Sequence, residues 1–434
     1  MTTVLDREKV LANFIEHKEK VDKRNQEGIE KYRKGDFTIK FESLGKKKVI
    51  VKQKTHKFLF GTTAFMLGCF EDDKKEPIYK EKFVKLFNQA VVPFYWKDLE
   101  PEENKVRFKK DSEYIYRRPA PDTVLEFCKE YGIEPKGHCL VWNSHVPSWL
   151  QKYSVQEKKE ILERRVKQIA DEYADKIPSF DIVNESASFY LAGQVELFDD
   201  YDKFGLKLGE KYFKNNIKII NDTNNAIWER YFCHGKYMPF NMQLKELLQE
   251  GYTFDEIGMQ FHMFIRAENM TDYKPQKDFL SINYHLDVLD IYSQYNLPMH
   301  ISEVTVPSYF GSNETNENIQ AEIVETLYKT WFATKNMKSI VWWNLVDGYA
   351  AYAPLGSSEG ENYFGGGLLR FDMTEKPSYK VLDRLINHEW KTSFESEVDN
   401  DILTFRGFYG EYEVTVDGKT YTLNFDTDKK EISL

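Results

Sequence analysis

The sequence predicts an α/β fold, a (β/α)8 TIM barrel with small β accessory elements from both termini. Between residues 58 and 388, short apolar segments rich in β-branched residues alternate with amphipathic segments. This alternation is typical of βα units repeated around a parallel sheet. Eight strand and helix pairs can be counted, which is the number that closes such a barrel. A doubly wound open sheet is the alternative, but no predicted strand leads into a GxGxxG turn.

The predicted strands share a short apolar core, and several of them end in polar or aromatic residues. They cover residues 58–63, 90–95, 137–142, 179–184, 217–221, 257–262, 299–304 and 339–345. The predicted helices cover residues 77–87, 121–131, 155–174, 201–213, 242–250, 278–295, 319–334 and 377–387. The predicted helix at 155–174 is the clearest, because Leu162, Val166, Ile169 and Tyr173 fall on one face at helical spacing.

The two ends of the chain, residues 1–57 and 389–434, follow a different pattern from the barrel at 58–388. After one charged helix, residues 37–51 alternate between apolar and polar positions on either side of a predicted turn, which predicts a half-buried hairpin. Residues 412–425 alternate in the same way around an Asp-Gly turn, a strong hairpin signal. Isolated hairpins are marginally stable in water, so we expect the C-terminal hairpin to pack with the N-terminal strands.

Charge and composition exclude several classes of function. The chain has 60 Lys and Arg against 70 Asp and Glu, a net charge of -10, which argues against a broad nucleic-acid surface. No apolar run is long enough to cross a bilayer. The first twenty residues lack the features of a signal peptide, so we expect either a cytoplasmic protein or a secreted one whose signal has been removed. The four cysteines have no CxxC spacing and predict reduced core residues rather than a metal site.

Two predicted strands end in a glutamate. Glu185 ends the fourth strand and Glu303 ends the seventh. Either carboxylate alone would more simply be a salt-bridge partner, because an uncompensated charge at the end of a buried strand costs free energy. The carboxyl ends of barrel strands meet at one mouth, so the two side chains should lie together. Paired carboxylates are what glycoside hydrolysis requires, since one protonates the departing oxygen and the other attacks the anomeric carbon or activates water.

Other strand ends supply groups that suit a sugar. Imidazole and amide groups pair with hydroxyls, which both donate and accept hydrogen bonds, and an indole face packs against a sugar ring. Each residue taken alone would be interpreted as part of the core, but the set on neighbouring strand ends predicts a carbohydrate site. The candidates for substrate binding are His138, Trp142, Asn184, Gln260, His262 and Trp343.

Five motifs, in this order, resemble those of the glycoside hydrolase family 10 xylanases. They are Gly-His-Cys-Leu-Val-Trp at 137–142, Asp-Ile-Val-Asn-Glu at 181–185, Gly-Met-Gln-Phe-His at 258–262, Ile-Ser-Glu at 301–303 and Trp-Asn-Leu-Val-Asp at 343–347. The resemblance implies a retaining endo-β-1,4-glycanase that hydrolyses xylan or decorated xylo-oligosaccharides by double displacement, without a cofactor or a metal. It also implies roles for the candidates: Glu185 as acid/base, Glu303 as nucleophile, His262 as the partner of the nucleophile, Asn184 at the sugar 2-hydroxyl, His138 and Trp142 lining the cleavage subsite, and Trp343 as its floor. Gln260 belongs to the sixth-strand motif and is a further candidate for substrate binding.

The chain departs from that family's pattern where the family grips the glycone. Val91, Val92 and Tyr95 stand where a Glu-Asn pair and a Lys are usual, and Thr305 replaces an Asp two residues after the nucleophile. At other positions Asn143 and His145 follow the third-strand tryptophan, and Ala351 with Tyr352 stands at the position of a roof tryptophan. We therefore expect a rebuilt glycone grip.

Two alternatives remain open at this stage. One is a β-glycosidase of the same mechanism with a different glycone, and the other is a catalytically inactive barrel that binds carbohydrate. The presence of both glutamates counts against the inactive barrel. In each case the expected partner is a polysaccharide or oligosaccharide of the xylan type, without nucleic acid or membrane, and we expect a monomer.

Overall fold

The computed structural model describes residues 3–42, 45–188, 195–230, 233–271, 278–311 and 313–434. Eight parallel strands form a closed barrel in which each strand pairs with its neighbour along the chain and the eighth pairs with the first. This topology confirms the predicted barrel. Its strands are β3 (Leu59–Thr63), β4 (Gln89–Pro93), β5 (Glu134–His138), β6 (Ser179–Asn184), β7 (Ile217–Asp222), β8 (Glu256–His262), β9 (Met299–Thr305) and β10 (Met337–Trp342).

Helices connect these strands and cover the outside of the barrel. Capping residues fix several of their ends: Ser154 and Glu157 form a capping box at the start of one helix, and Gly132 ends another in the left-handed region at φ 66°. The connecting helices are α2 (Lys75–Leu86), α3 (Trp96–Leu99), α4 (Pro121–Tyr131), α5 (Val155–Tyr173), α6 (Tyr201–Tyr212), α7 (Asn224–Ile227), α8 (Pro239–Gln249), α9 (Ile282–Ser293), α10 (Glu314–Phe332) and α11 (Pro377–Arg384).

The third barrel strand is the least accurately predicted. It was expected at 137–142 but runs over Glu134–His138, and the eighth also ends earlier than expected, at Trp342. The charged residues of β5 hide it from an apolar pattern. Lys136 nevertheless points into the interior, where its ammonium lies 2.9 Å from the Asp181 carboxylate and both side chains are 1% exposed. The buried ion pair makes a charged residue compatible with a barrel strand.

A long N-terminal helix, α1 (Arg7–Tyr32), packs against α10. The two come very close at Gly28, where an added Cβ would lie 2.3 Å from the Ala333 carbonyl oxygen. Arg24 and Arg33 donate hydrogen bonds to carbonyl oxygens at the end of α10, namely those of Thr330, Phe332 and Thr334. These contacts fasten the charged helix to the barrel, since cations stabilise a helix C-terminus.

The terminal strands form two sheets rather than two hairpins. The C-terminal hairpin is confirmed, since β13 pairs with β14 around Asp417 and Gly418. The N-terminal hairpin is wrong: β1 pairs with β12 and β15, and β2 pairs with β11 and β13. Residues 43–44 of its predicted turn lie outside the described residues. The strands are β1 (Lys34–Lys40), β2 (Lys47–His56), β11 (Ser393–Val398), β12 (Ile402–Phe408), β13 (Gly410–Val416), β14 (Lys419–Phe425) and β15 (Glu431–Ser433).

The two sheets enclose a small core of their own. Phe37 stacks on Phe425 with ring centroids 4.4 Å apart, and Val49, Val51 and Val414 are buried beside them. We call these two sheets the terminal sandwich. Only Lys57 and Phe58 separate β2 from β3, so the sandwich joins the barrel at the amino ends of its strands. The terminal sandwich therefore lies at the opposite end from the mouth where the glutamates are found.

Candidate active site

The two glutamates both lie at the barrel mouth, but they have different backbone conformations. Glu303 lies within β9 in extended backbone and is 4% exposed. Glu185 follows the last residue of β6, is only partly buried, and has φ 53°. Its backbone N–H donates to the Asn221 carbonyl oxygen at 2.8 Å, which holds this left-handed turn in place. A non-glycine residue at positive φ is uncommon and is often found at functional sites.

Glu185 accepts hydrogen bonds from two neutral donors. Trp142 Nε1 lies 3.1 Å from Oε2, and Gln260 Nε2 lies 2.9 Å from Oε1. Burial, followed by the negative charge of Glu303, raises the pKa of Glu185 to about 8. The carboxyl is therefore mostly protonated at neutral pH, as a general acid must be.

Glu303 accepts hydrogen bonds from an amide and an imidazole. Asn221 Nδ2 donates to Oε1 and the His262 ring nitrogen Nε2 contacts Oε2, each at 3.1 Å. On the other side, His138 Nε2 lies 3.8 Å from Oε1. The two hydrogen bonds hold the carboxylate oxygens in place, and a carboxylate is the form that can act as a nucleophile.

Thr305 occupies the position two residues after Glu303 and contacts the other nitrogen of His262. Its Oγ1 lies 2.8 Å from His262 Nδ1. Because a carboxylate only accepts, Nε2 of His262 must carry the proton that faces Glu303. In the neutral imidazole Nδ1 is then an acceptor, and the Thr305 hydroxyl donates to it. The Glu303 carboxylate thus fixes the tautomer of His262, and the Thr305 hydroxyl supplies the matching donor without adding a charge.

The buried ion pair between Lys136 and Asp181 orients His138. Its Nδ1 lies 2.7 Å from Asp181 Oδ2, while the other Asp181 oxygen faces Lys136. Burial opposes ionisation of Asp181, but Lys136 and His138 outweigh it and hold the pKa of Asp181 below its usual range. His138 therefore presents its second nitrogen toward Glu303.

Two residues at the end of β7 belong to the site but were not among the candidates. Asn221 Nδ2 donates to Asn184 Oδ1 at 2.7 Å as well as to Glu303, and its own Oδ1 accepts from Ser302. Asp222 accepts from the Ala187 backbone N–H, and burial raises its pKa to about 6. The signal was available, because these residues also end an apolar strand.

The structure brings all of the candidates into one pocket. Trp343 makes edge contacts with the rings of His138 and His262, at centroid distances of 5.6 and 5.7 Å. Asn184 Nδ2 is buried without a hydrogen-bond partner within the described residues, so it has a donor to offer to a ligand. The pocket contains Glu185, Glu303, His138, Trp142, Asn184, Gln260, His262 and Trp343, through the contacts given above.

Aromatic and charged side chains border this pocket above β4 and β5. Tyr95 is 4% exposed and lies 5.4 Å from His138 and 5.6 Å from Trp142, measured between ring centroids. The Arg118 guanidinium stacks on the Tyr95 ring at 4.1 Å. Arg118 was missed by sequence reasoning because it lies in the long connection between α3 and α4, where no strand-end pattern applies. Val91 and Val92 are buried, so neither offers a polar group.

Searches for other kinds of site gave negative results over the described ranges. Within them, no group of three or more His, Cys, Asp or Glu side chains has the arrangement of a metal site. Among the helices so described, none is both long enough and apolar enough to span a membrane.

Comparisons with known proteins point in one direction. The sequence model of glycosyl hydrolase family 10 matches residues 52–379. Endo-1,4-beta-xylanase A of Caldicellulosiruptor saccharolyticus is 21% identical over 302 residues, which are 63% of this chain and 79% of that protein. Endo-1,4-beta-xylanase 1 of Arabidopsis thaliana is 23% identical, and the match covers 93% of this chain but only 39% of that longer protein. The crystal structure of native xylanase 10B from Thermotoga maritima matches with a TM-score of 0.59 at 20% identity, over 77% of this chain and 96% of that one.

Proposed function

Because this chain belongs to glycosyl hydrolase family 10, we propose that it hydrolyses xylan or decorated xylo-oligosaccharides by a retaining double displacement. Its class is that of a glycoside hydrolase similar to endo-1,4-beta-xylanases. The mechanism and the residue roles are our proposal. The observation that carries them is the pair of glutamates at one mouth, of which Glu185 has a raised pKa and Glu303 accepts hydrogen bonds from Asn221 and His262.

In the first step, a Glu303 carboxylate oxygen attacks the anomeric carbon of the bound sugar. The bond from that carbon to the leaving oxygen breaks, and Glu185 gives its proton to the departing oxygen. The products are a glycosyl ester on Glu303 and a Glu185 carboxylate. The raised pKa of Glu185 suits this step, since a carboxyl group with an ordinary pKa would have lost its proton at neutral pH.

In the second step, the Glu185 carboxylate removes a proton from a water molecule. The water oxygen attacks the anomeric carbon from the side that the leaving group vacated, and the ester bond to Glu303 breaks. Two inversions at one carbon give net retention. Loss of the charge on Glu303 in the ester lowers the repulsion on Glu185, so Glu185 can now act as a base.

The remaining residues bind the sugar. The free Nδ2 of Asn184 would donate to the 2-hydroxyl, and Trp343 would form the floor against the ring face. His262, whose second nitrogen accepts from Thr305, keeps Glu303 oriented toward the anomeric carbon. None of these steps requires a metal or an organic cofactor.

The test is a substrate screen with product stereochemistry. Aryl β-xylosides, aryl β-cellobiosides and xylo-oligosaccharides should be compared, and the anomer first released should be identified by proton NMR. We expect hydrolysis of the xylose series with the β-anomer as first product. The α-anomer as first product would contradict the retaining mechanism, and a preference for the glucose series would contradict the substrate.

A second candidate is a β-glycosidase with a different glycone. The substitution of Val91, Val92 and Tyr95 for polar residues favours it, because contacts to sugar hydroxyls are lost there. The same screen distinguishes the two candidates.

A further inference from the structure

Four side chains above β4 and β5 form one connected layer beside the pocket. We call Tyr95, Arg118, His145 and Tyr352 the aromatic wall. We propose that this wall closes the substrate cleft on the glycone side, so that the pocket accepts a single sugar there and the enzyme releases monosaccharides from the non-reducing end of a chain. The inference rests on the proposed function and specifies the length of glycone that the site accepts.

The wall connects the loop after β10 with the loop after β5. These two loops lie on either side of β3 and β4 in the barrel. Tyr352 lies in the connection after β10, and His145 lies in the connection after β5. The Tyr352 hydroxyl and His145 Nε2 are 2.9 Å apart. In the barrel the strand order is β10, β3, β4, β5, so this hydrogen bond spans the carboxyl ends of β3 and β4.

The space beneath this bridge is filled by protein. The Tyr95 ring lies 5.1 Å from the His145 ring, and the Arg118 guanidinium also stacks on the Tyr95 ring. Arg118 is fixed in turn by Asp98, whose Oδ2 lies 2.8 Å from its Nε. Tyr95, Arg118 and His145 are all buried, while Tyr352 is 74% exposed and forms the outer edge. A second sugar would have to displace these packed groups.

The wall contacts the surroundings of both glutamates. Its His145 stacks on Trp142, a donor to Glu185, at a ring-centroid distance of 4.2 Å. Its Tyr95 packs on His138, whose Nε2 lies 3.8 Å from a Glu303 oxygen. Gln260, the other donor to Glu185, lies on β8, which is opposite β4 in the strand order of the barrel. Tyr95 also stands at a position where family 10 enzymes grip the glycone, so the wall faces the glycone rather than the leaving group.

A cleft binds the interior of a chain only if it is open on both sides of the scissile bond. A pocket closed on the glycone side binds a chain end, and it leaves the aglycone free to be long. Val91 and Val92 agree with this reading, because a site without a second glycone sugar needs no hydrogen-bonding groups there. The proposed mode differs from that of the relatives named as endo-xylanases.

The first experiment uses the unaltered enzyme and xylotetraose labelled at its reducing end. We expect xylose and labelled xylotriose as the first products, and little fall in the viscosity of soluble xylan per bond cleaved. An aryl β-xyloside should be hydrolysed with a kcat/KM within about tenfold of that for the aryl β-xylobioside. Labelled xylobiose or labelled xylose as the main first product would overturn the proposal, because either needs two or more glycone sugars. No hydrolysis of any xyloside would instead refute the proposed function itself.

A double variant tests whether the wall sets this register. Y95A/Y352A removes the filling ring and the outer edge, and the ratio of kcat/KM for xylobioside over xyloside should rise by about tenfold or more. The matched control Y352F keeps the ring and loses only the hydroxyl, so its ratio should change by no more than about threefold. An unchanged ratio in a double variant that keeps its melting temperature would overturn the role of the wall. If that variant does not fold, the product register of the unaltered enzyme still decides the proposal.

Discussion

Glu185 and Glu303 have the same side chain and share one pocket, yet their surroundings differ. Both accept two hydrogen bonds, so the number of bonds does not separate them. Glu303 is enclosed between two imidazoles and an amide in extended backbone, whereas Glu185 leaves its strand in a left-handed turn and faces an indole and an amide. The difference in donors and the repulsion between the two carboxylates therefore support the proposed roles of Glu185 as acid and Glu303 as nucleophile.

The largest expected effect comes from removing either carboxylate. E185A and E303A should each lower kcat on a natural xylo-oligosaccharide by about 10⁴-fold or more, since the two groups act as a unit. Azide should then separate the two roles. In E185A it should attack the glycosyl ester and give a β-glycosyl azide, and in E303A it should replace the nucleophile and give the α-glycosyl azide.

The stereochemistry of each azide product is read by NMR, with aryl glycosides that need no acid as substrates. E185Q and E303Q are the matched isosteric controls for folding. If the two azide products appeared in the opposite variants, the assignment of acid and nucleophile would be reversed. The carboxyl groups should also lie about 5–5.5 Å apart in a crystal structure, as retention requires.

The next effect is on the pH profile. Glu185 must be protonated in the free enzyme, and its pKa is raised to about 8 by burial and by Glu303. For a substrate with a poor leaving group, kcat/KM should therefore fall by about tenfold per pH unit above that value. E185Q should lose this limb when it is measured on a dinitrophenyl xyloside. A limb that persists in E185Q would assign the titration to another group, for instance Asp222.

A smaller effect is expected from the residue that fixes His262. T305V keeps the shape of the side chain but cannot donate to Nδ1, which should lower kcat by about three- to tenfold with little change in KM. T305S keeps a hydroxyl and should retain most of the activity. Equal kcat values for T305V and T305S would contradict the positioning role.

A substitution in the terminal sandwich should have the smallest effect on catalysis, because the sandwich joins the barrel at the end opposite the two glutamates. F425A removes a ring that is fully buried against Phe37 and should cost about 3–5 kcal/mol in the unfolding of the sandwich. The kinetics of the folded enzyme and its product pattern should not change. F425L is the matched control and should be much less destabilised. A change in cleavage register in F425A would show that the sandwich reaches the substrate.

Much of this architecture can be predicted from the sequence because barrel strands repeat one pattern. Each strand is buried on both faces, so an apolar run followed by Asn-Glu or Ser-Glu marks both the strand and the catalytic end of it. Glu185, Glu303 and the neighbouring candidates for substrate binding were selected by this rule. The same rule applied to Asn221 and Asp222 would have completed the set.

Other features depend on partners that a local pattern does not reveal. Lys136 belongs to a barrel strand only because Asp181 lies opposite it. The alternation in β1 and β2 indicates that each strand has one buried face. It does not indicate which strand each one pairs with, so the two strands were predicted to form a hairpin. Arg118 reaches the pocket from a long irregular connection, and its position follows from stacking on Tyr95 rather than from spacing.

The pairing of β1 in the terminal sandwich has a consequence for the order in which the chain folds. Lys40 of β1 faces Glu431, 391 residues later in the sequence. The ribosome makes β1 and β2 first and their partners last. The barrel can therefore close while one apolar face of β1 and of β2 is still exposed to solvent. The sandwich then forms late, through long-range contacts, and until it forms these two strands are the part of the nascent chain most exposed to aggregation.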